Sequence, residues 1–170
     1  MKRIISLLAA MVTLAAVSFA SEHSGQKSTP SFLKEIPPGY RDWKLISVAH
    51  EEGTLNDLRA ILGNDIAVNA YREGALPFPE GAIIARLAWE YSPSEENNKV
   101  FGRRQSFVAG HPRNGVQFMI KGSKKYAATG GWGFGHFNDG KPAENGLMQS
   151  CFPCHQAIEI RDLVFTRYSP

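Results

Sequence analysis

Hydrophobic and polar positions alternate along several stretches of the chain, and such alternation is typical of strands with one buried face. Branched and aromatic residues are frequent in these stretches, and turn residues separate them. The predicted strands are Trp43 to His50, Ile83 to Tyr91, Val100 to Ala109, Val116 to Lys121 and Gly130 to Asn138. Val164 to Tyr168 is a candidate for a further strand that closes the sheet. The pattern predicts a β-rich α+β fold, a single domain with an antiparallel sheet.

Helical signals are confined to short segments. Asn64 and Asp65 form a predicted cap for a helix over Ile66 to Glu73, and Gly74 follows as the stop signal. A second short helix is predicted near the C-terminus, over Cys154 to Asp162.

The stretch from Leu58 to Gly63 fits two local structures. It is either the end of a short helix begun at Thr54 or a strand in which Arg59 and Ile61 share a face. Turns are predicted at Pro77 to Gly81 and at Gly110 to Gly115, where a hairpin-like connection would join two strands.

The first twenty residues have the features of a secretory signal peptide. Lys2 and Arg3 give a basic start, the stretch from Ile4 to Phe19 is apolar or small, and cleavage is expected after Ala20. The alternative is an uncleaved membrane anchor, but the apolar run is shorter than the roughly 20 residues that span a bilayer. No later stretch could span one. We therefore expect a signal peptide over 1–20, a flexible leader over 21–36 and one domain over 37–170.

The composition adds little that is specific, with 43% hydrophobic and 21% charged residues among 170. Without Lys2 and Arg3 the 19 basic residues fall to 17, against 16 acidic ones. Basic residues are not interleaved with aromatic ones as in single-strand binders, so we expect no nucleic-acid partner. Both cysteines lie in the exported part, where the environment is oxidising. They are therefore expected to form a disulfide, bind a metal or carry thioether bonds.

The two cysteines belong to the pattern Cys151-Phe152-Pro153-Cys154-His155, which is typical of c-type haem attachment. Residues three and four apart share one face of a helix, so both thiols and the imidazole can address one flat macrocycle. The thiols would add to the two vinyl groups of haem c, and His155 would be the proximal iron ligand. A redox disulfide would need a thioredoxin-like context, and zinc would need about four ligands. Neither is visible in the sequence.

The sixth coordination position of the iron decides between electron transfer and ligand binding. The candidate ligands are Met119, Met148, His50, His111 and His136. His136 follows a stretch in which one strand face carries only glycines, which permits close approach of something flat or of another chain segment. Aromatic core packing with a hydrogen-bonded histidine is the simpler interpretation of that stretch. None of these residues is compelling as a ligand, so we expect a five-coordinate haem with an open distal position.

Three separated motifs in the same order resemble the cytochrome P-460 family, which includes the related beta-type cytochromes c-prime. The first is Gly39-Tyr40-Arg41-Asp42-Trp43, the second runs from Phe78 to Trp89, and the third runs from Cys151 to Tyr168. The resemblance covers nearly all of the chain from about Pro37 onward. It implies a β-sheet-rich domain, often a homodimer, in the bacterial periplasm, with a five-coordinate haem on a proximal histidine, here His155.

Three further positions follow from the resemblance. The hydroxylamine-oxidising members have a distal arginine, which Arg59 matches, and its fork of donors suits an anionic or dipolar ligand. Those members also have a lysine that is cross-linked to the porphyrin, and Arg86 matches the position of this lysine. A guanidinium should not form the cross-link. It could instead pair with a carboxylate or a haem propionate. Gln117 stands at the position of a distal glutamate, and an amide cannot relay protons as an acid or base.

The leading hypothesis is therefore a periplasmic mono-haem cytochrome that binds nitric oxide or a related nitrogen oxide, with a periplasmic redox partner. Oxidation of hydroxylamine or nitric oxide, or a peroxidase-like activity, is the enzymatic alternative, which Arg59 supports and which Arg86 and Gln117 weaken. Electron transfer alone and thiol–disulfide exchange are the remaining alternatives.

Overall fold

The computed structural model describes residues 32–144, 147 and 149–169. The predicted signal peptide, residues 21–31 of the predicted leader and Met148 lie outside the described residues.

Six strands form one antiparallel sheet in which each strand pairs with the next along the chain. The strands are β1 (Lys44–Glu51), β2 (Asp57–Gly63), β3 (Ile83–Pro93), β4 (Phe107–Lys121), β5 (Trp132–Asn138) and β6 (Lys141–Pro142). The helices are α1 (Asp65–Glu73), α2 (Glu95–Phe101) and, in the C-terminal part, α3 (Cys151–Gln156). Single 3-10 turns occupy Tyr40–Asp42, Ala127–Thr129 and Glu159–Arg161. The β-rich α+β fold predicted from the sequence is confirmed. Among the described residues, no helix is both long and apolar enough to cross a membrane.

The local signals around α1 have the predicted effect. The Asn64 side chain accepts a hydrogen bond from the Ala67 amide at 3.0 Å, and Gly74 ends the helix with a left-handed backbone. The preceding stretch is strand β2, so the strand interpretation of Leu58 to Gly63 is correct, and Arg59 and Ile61 share a face as expected.

The prediction for the stretch from Val100 to Lys121 is wrong in two respects. Val100 lies in α2, which Ser94 caps at its N-terminus and Gly102 ends, so the strand begins only at Phe107. Gly110 to Gly115 does not reverse the chain but lies inside β4, whose pairing with β3 shifts register there. Asn114 and Gly115 both adopt positive φ, so the extra residues form bulges rather than a hairpin.

Two predictions for the C-terminal part are also corrected. Val164 to Tyr168 is not a strand but an irregular segment, of which Val164 packs in the core. The predicted helix over Cys154 to Asp162 is divided, because α3 ends at Gln156 and a 3-10 turn follows. At the other end, Leu33 is buried and its amide donates to the Phe134 carbonyl at 2.9 Å. Leu33 therefore packs against β5.

The two faces of the sheet have different covers. On one face, here called the α1 face, a core cluster contains residues from α1, the sheet and the C-terminal segment, including Val68, Ile84, Met119, Phe134 and Val164. On the other face, Leu33 packs with Leu87 and Phe118 in a second cluster. The glycine face of β5 lies on this second side, where Gly133 meets the Tyr126 ring and Gly135 meets Leu33. Other parts of the chain therefore approach these glycines closely, which is one of the two arrangements that a bare glycine face permits.

Candidate functional site

Helix α3 presents the cysteine–histidine motif at the border of the α1 face. Cys151 packs partly against the core cluster, whereas Cys154 is exposed, and both thiols are free. Phe152 packs with its ring centroid 6.5 Å from that of Phe134, which anchors the helix to β5. The helix thereby fixes His155 over the same strand.

The His155 imidazole is held on two sides by aromatic rings and at one nitrogen by the backbone. Its ring centroid lies 5.2 Å from that of Phe134 and 5.1 Å from that of Phe165. Nδ1 lies 2.7 Å from the Leu163 carbonyl oxygen, which can only accept, so Nδ1 carries the proton. Burial lowers the pKa of His155, and the hydrogen bond to Leu163 raises it by a smaller amount. The ring is therefore neutral at pH 7, with its lone pair on Nε2.

These residues fit a haem c. A neutral imidazole whose other nitrogen donates to a carbonyl is the usual state of a metal-ligating histidine. Two unpaired thiols stand one helical turn apart beside it, as thioether attachment requires. The donor set at α3 therefore suits one covalently held haem whose iron is bound by His155.

The three residues carried over from the family resemblance lie together on the α1 face. Arg86 in β3 pairs in register with Gln117 in β4, and Gln117 pairs with His136 in β5. Arg59 lies on β2, next to this row of side chains. His136 is two residues from Phe134 along β5, which corresponds to about 7 Å. The row is therefore adjacent to the ring that contacts His155.

A buried carboxylate links the two arginines. Asp57 is fully buried; its Oδ1 lies 2.6 Å from Arg59 Nε and its Oδ2 lies 2.8 Å from Arg86 Nη2. Glu51 contacts the far side of the Arg59 guanidinium at 3.0 Å. Of the two partners expected for Arg86, the carboxylate is present. Two cations and two anions thus form one connected network on the α1 face.

Two donors in the row have no partner among the described residues. Gln117 Nε2 lies 3.4 Å from His136 Nδ1, so with the amide in this orientation the ring proton of His136 is on Nε2. His136 Nε2 and Arg86 Nη1 are both buried without a hydrogen bond. Burial lowers the pKa of His136; the nearby Asn114 backbone and Asn138 side chain oppose this shift, and the charge of Arg86 adds to it. The net direction is downward, so the ring is neutral at pH 7. Buried donors without partners are costly, and such donors commonly meet a ligand or a cofactor.

The remaining candidate axial ligands lie elsewhere. His50 is exposed, stacks on Tyr91 with centroids 3.9 Å apart and binds Asn56. His111 is exposed on β4, and Met119 is a buried member of the core cluster between Ile84 and Phe134.

Sequence reasoning missed Asp57 and the Leu163 carbonyl. Asp57 and Arg59 are two residues apart on β2, and this acidic–basic spacing, which places both on one face of a strand, was the available signal. The acceptor at Leu163 had no signal, because any residue has a carbonyl and its direction depends on the fold after α3.

The comparison with known families agrees with this geometry. No curated protein matches the chain. The model of the family Cytochrome P460 matches residues 37–166, which include β1 to β6, α3 and the segment that holds His155. The chain therefore belongs to the cytochrome P460 family of haem c cytochromes.

Proposed function

We propose that the chain is an exported mono-haem c-type cytochrome that binds a small nitrogen-oxide ligand, such as nitric oxide, at an open iron position. In this proposal Cys151 and Cys154 form the thioether bonds and His155 Nε2 is the axial ligand. The hydrogen bond from His155 Nδ1 to the Leu163 carbonyl carries the proposal, because it leaves Nε2 as the free donor. When bound, the haem supplies the iron at which the diatomic ligand coordinates.

The row on the α1 face supports a ligand-binding role for the distal side. Arg86 Nη1 and His136 Nε2 offer two unpartnered donors on either side of Gln117. Such donors stabilise negative charge on a bound nitrogen oxide. Unlike an apolar distal pocket, a pocket with these two donors would favour ligands that have a hydrogen-bond acceptor.

Turnover of hydroxylamine or nitric oxide is less well supported. Arg59 is engaged by Asp57 and Glu51 rather than free. Arg86 stands where the oxidising relatives carry the cross-linked lysine, and Gln117 has no titratable proton. We therefore expect binding without sustained oxidation.

Electron transfer is the second candidate function, and one observation favours it. His136 Nε2 is buried without a partner. If the ring proton is on Nδ1 and the Gln117 amide is turned so that its oxygen accepts that proton, Nε2 has a free lone pair and could serve as a sixth ligand. Two axial histidines would close the iron to external ligands. The spectrum of the ferrous protein separates this candidate from the first.

Thiol–disulfide exchange is disfavoured by the state of the cysteines. Burial raises the pKa of Cys151, with the neighbouring Cys154 adding to the effect. Oxidoreductases of that class depend on a lowered thiol pKa.

Periplasmic localisation, cleavage after Ala20, a periplasmic redox partner and a homodimer belong to the same proposal. N-terminal sequencing of the protein recovered from the periplasm tests the first two, with Ser21 as the expected first residue.

The functional test is the absorption spectrum of the ferrous protein, matured with the haem-attachment machinery and titrated with nitric oxide and carbon monoxide. We expect a high-spin five-coordinate spectrum that converts on addition of either gas. A low-spin spectrum that neither gas changes would contradict ligand binding. If His136→Gln then makes the iron high-spin, the electron-transfer candidate is correct.

A further inference from the structure

A buried ion pair joins the end of β4 to the segment that follows α3. Lys121 Nζ lies 2.6 and 2.8 Å from the two carboxylate oxygens of Asp162, and the two side chains are 4% and 12% exposed. Asp162 Oδ2 also accepts the Phe78 amide at 2.8 Å. The Lys121 ammonium stands 5.1 Å from the centroid of the Trp132 ring. Asp162 is therefore bound to two other parts of the domain at once.

The backbone at this point is unusual. Asp162 and Leu163 have φ values of 51° and 65°, so two successive residues with side chains occupy the left-handed region. Leu in particular rarely adopts that conformation without support from its surroundings. The support here includes the Asp162 contacts and the burial of the Leu163 side chain against Gly130. Without the ion pair, this backbone would lose part of that support.

The direction of the Leu163 carbonyl depends on this conformation. That carbonyl is the acceptor of His155 Nδ1 at 2.7 Å. The acceptor of a ligating imidazole fixes its tautomer and ring orientation and raises its basicity. A chain of contacts thus runs from Lys121 through Asp162 and Leu163 to His155.

We infer that Lys121 and Asp162 are positioning residues for the proximal histidine. They hold the Leu163 carbonyl toward Nδ1 and so strengthen the bond between His155 and the iron. The inference rests on the proposed role of His155 as the axial ligand. Loss of the pair is expected to weaken the Nδ1 hydrogen bond, lower the electron donation of the imidazole and raise the reduction potential of the haem.

The pair could instead stabilise the domain without affecting the imidazole. In that case its removal would lower the free energy of unfolding but leave the iron–histidine bond unchanged. The iron–histidine stretching band in the resonance Raman spectrum of the ferrous holoprotein distinguishes the two roles, because it reports the imidazole directly.

The variants are Asp162→Asn, which keeps the size of the side chain and an acceptor for the Phe78 amide, and Lys121→Met. Lys44→Met is the matched control, because Lys44 forms an ion pair with Asp65 at the same 2.6 Å, but on the surface. We expect Asp162→Asn and Lys121→Met to shift the band to lower frequency and to raise the reduction potential. Lys44→Met should leave both measurements unchanged.

The outcomes are distinguishable. If the ferrous wild-type protein is high-spin but shows no iron–histidine band, the proposed axial role of His155 fails. If it is low-spin, the reduction potentials of the variants decide the positioning role. If the wild type shows the band and both variants keep its frequency and potential, the positioning role alone is overturned. Should both variants fail to yield holoprotein, Lys121→Arg retains the charge but moves it. A displaced band in Lys121→Arg supports the inference, and an unchanged band overturns it.

Discussion

Replacement of Asp57 by Asn tests the network that organises the α1 face. Asp57 is 0% exposed, and the guanidinium side chains of Arg59 and Arg86 are 15% and 16% exposed. Asparagine keeps the shape of the side chain but removes the charge. Arg86 then loses the carboxylate that it contacts, and the repulsion between the two guanidinium groups is offset only by the more exposed Glu51. Removal of one partner from a buried pair typically costs about 3 to 5 kcal/mol.

We expect the lower end of this range, about 3 kcal/mol, because both arginines keep some contact with solvent and Arg59 keeps Glu51. Urea unfolding of the holoprotein measures the free energy of unfolding without screening the charges. Asp65→Asn is the control, since its pair with Lys44 is exposed and its loss should change little.

A second substitution sharpens the test. Arg86→Met removes the stranded cation, so the double variant Asp57→Asn/Arg86→Met should be more stable than Asp57→Asn alone. A loss for Asp57→Asn no larger than that for Asp65→Asn, or no recovery in the double variant, would refute the electrostatic account of this network.

Two further predictions concern β5. Burial lowers the pKa of His136, so the folded state favours the neutral ring. The resulting contribution to the free energy of unfolding is complete above the unfolded-state pKa of about 6.5. It is lost as the pH falls through the lowered folded-state pKa. In urea unfolding, the free energy of unfolding should therefore fall less between pH 7 and pH 5 for His136→Gln than for the wild type. An equal fall in both proteins would be inconsistent with a lowered pKa of His136. A Cβ added at Gly133 would clash with the Tyr126 ring, so Gly133→Ala should cost about 1 to 3 kcal/mol of stability. Tyr126→Ala should relieve the clash in the double variant. Additive losses in that pair would show that the contact is not the cause.

Local signals predicted much of the fold. Helix α1 follows from its cap at Asn64 and its stop at Gly74, and the alternation in β1, β3 and β5 gave their positions. Helix α2 was missed although Ser94 and the acidic residues after it are a recognisable start. The glycine and proline residues near His111 suggested a turn, but long strands accommodate such residues as bulges. Sequence alone does not distinguish a turn from a bulge, because glycine and proline occur in both.

The candidate site was predictable only where its residues are adjacent in sequence. The cysteine–histidine motif of α3 is local, so its spacing revealed the chemistry. The link between Asp57 and Arg86 depends on the register of β2 and β3, and the link between Lys121 and Asp162 spans 41 residues. Such contacts become visible only when the sheet pairing and the course of the C-terminal segment are known.

The most direct test of the central claim is mass spectrometry of haem peptides from the exported, matured protein. We expect one haem bound through Cys151 and Cys154 together, with Lys121, Lys124 and Lys125 unmodified. A haem-free peptide with the two cysteines joined as a disulfide would contradict haem attachment. A haem that is also cross-linked to a lysine would contradict the conclusion that only the two cysteines hold it.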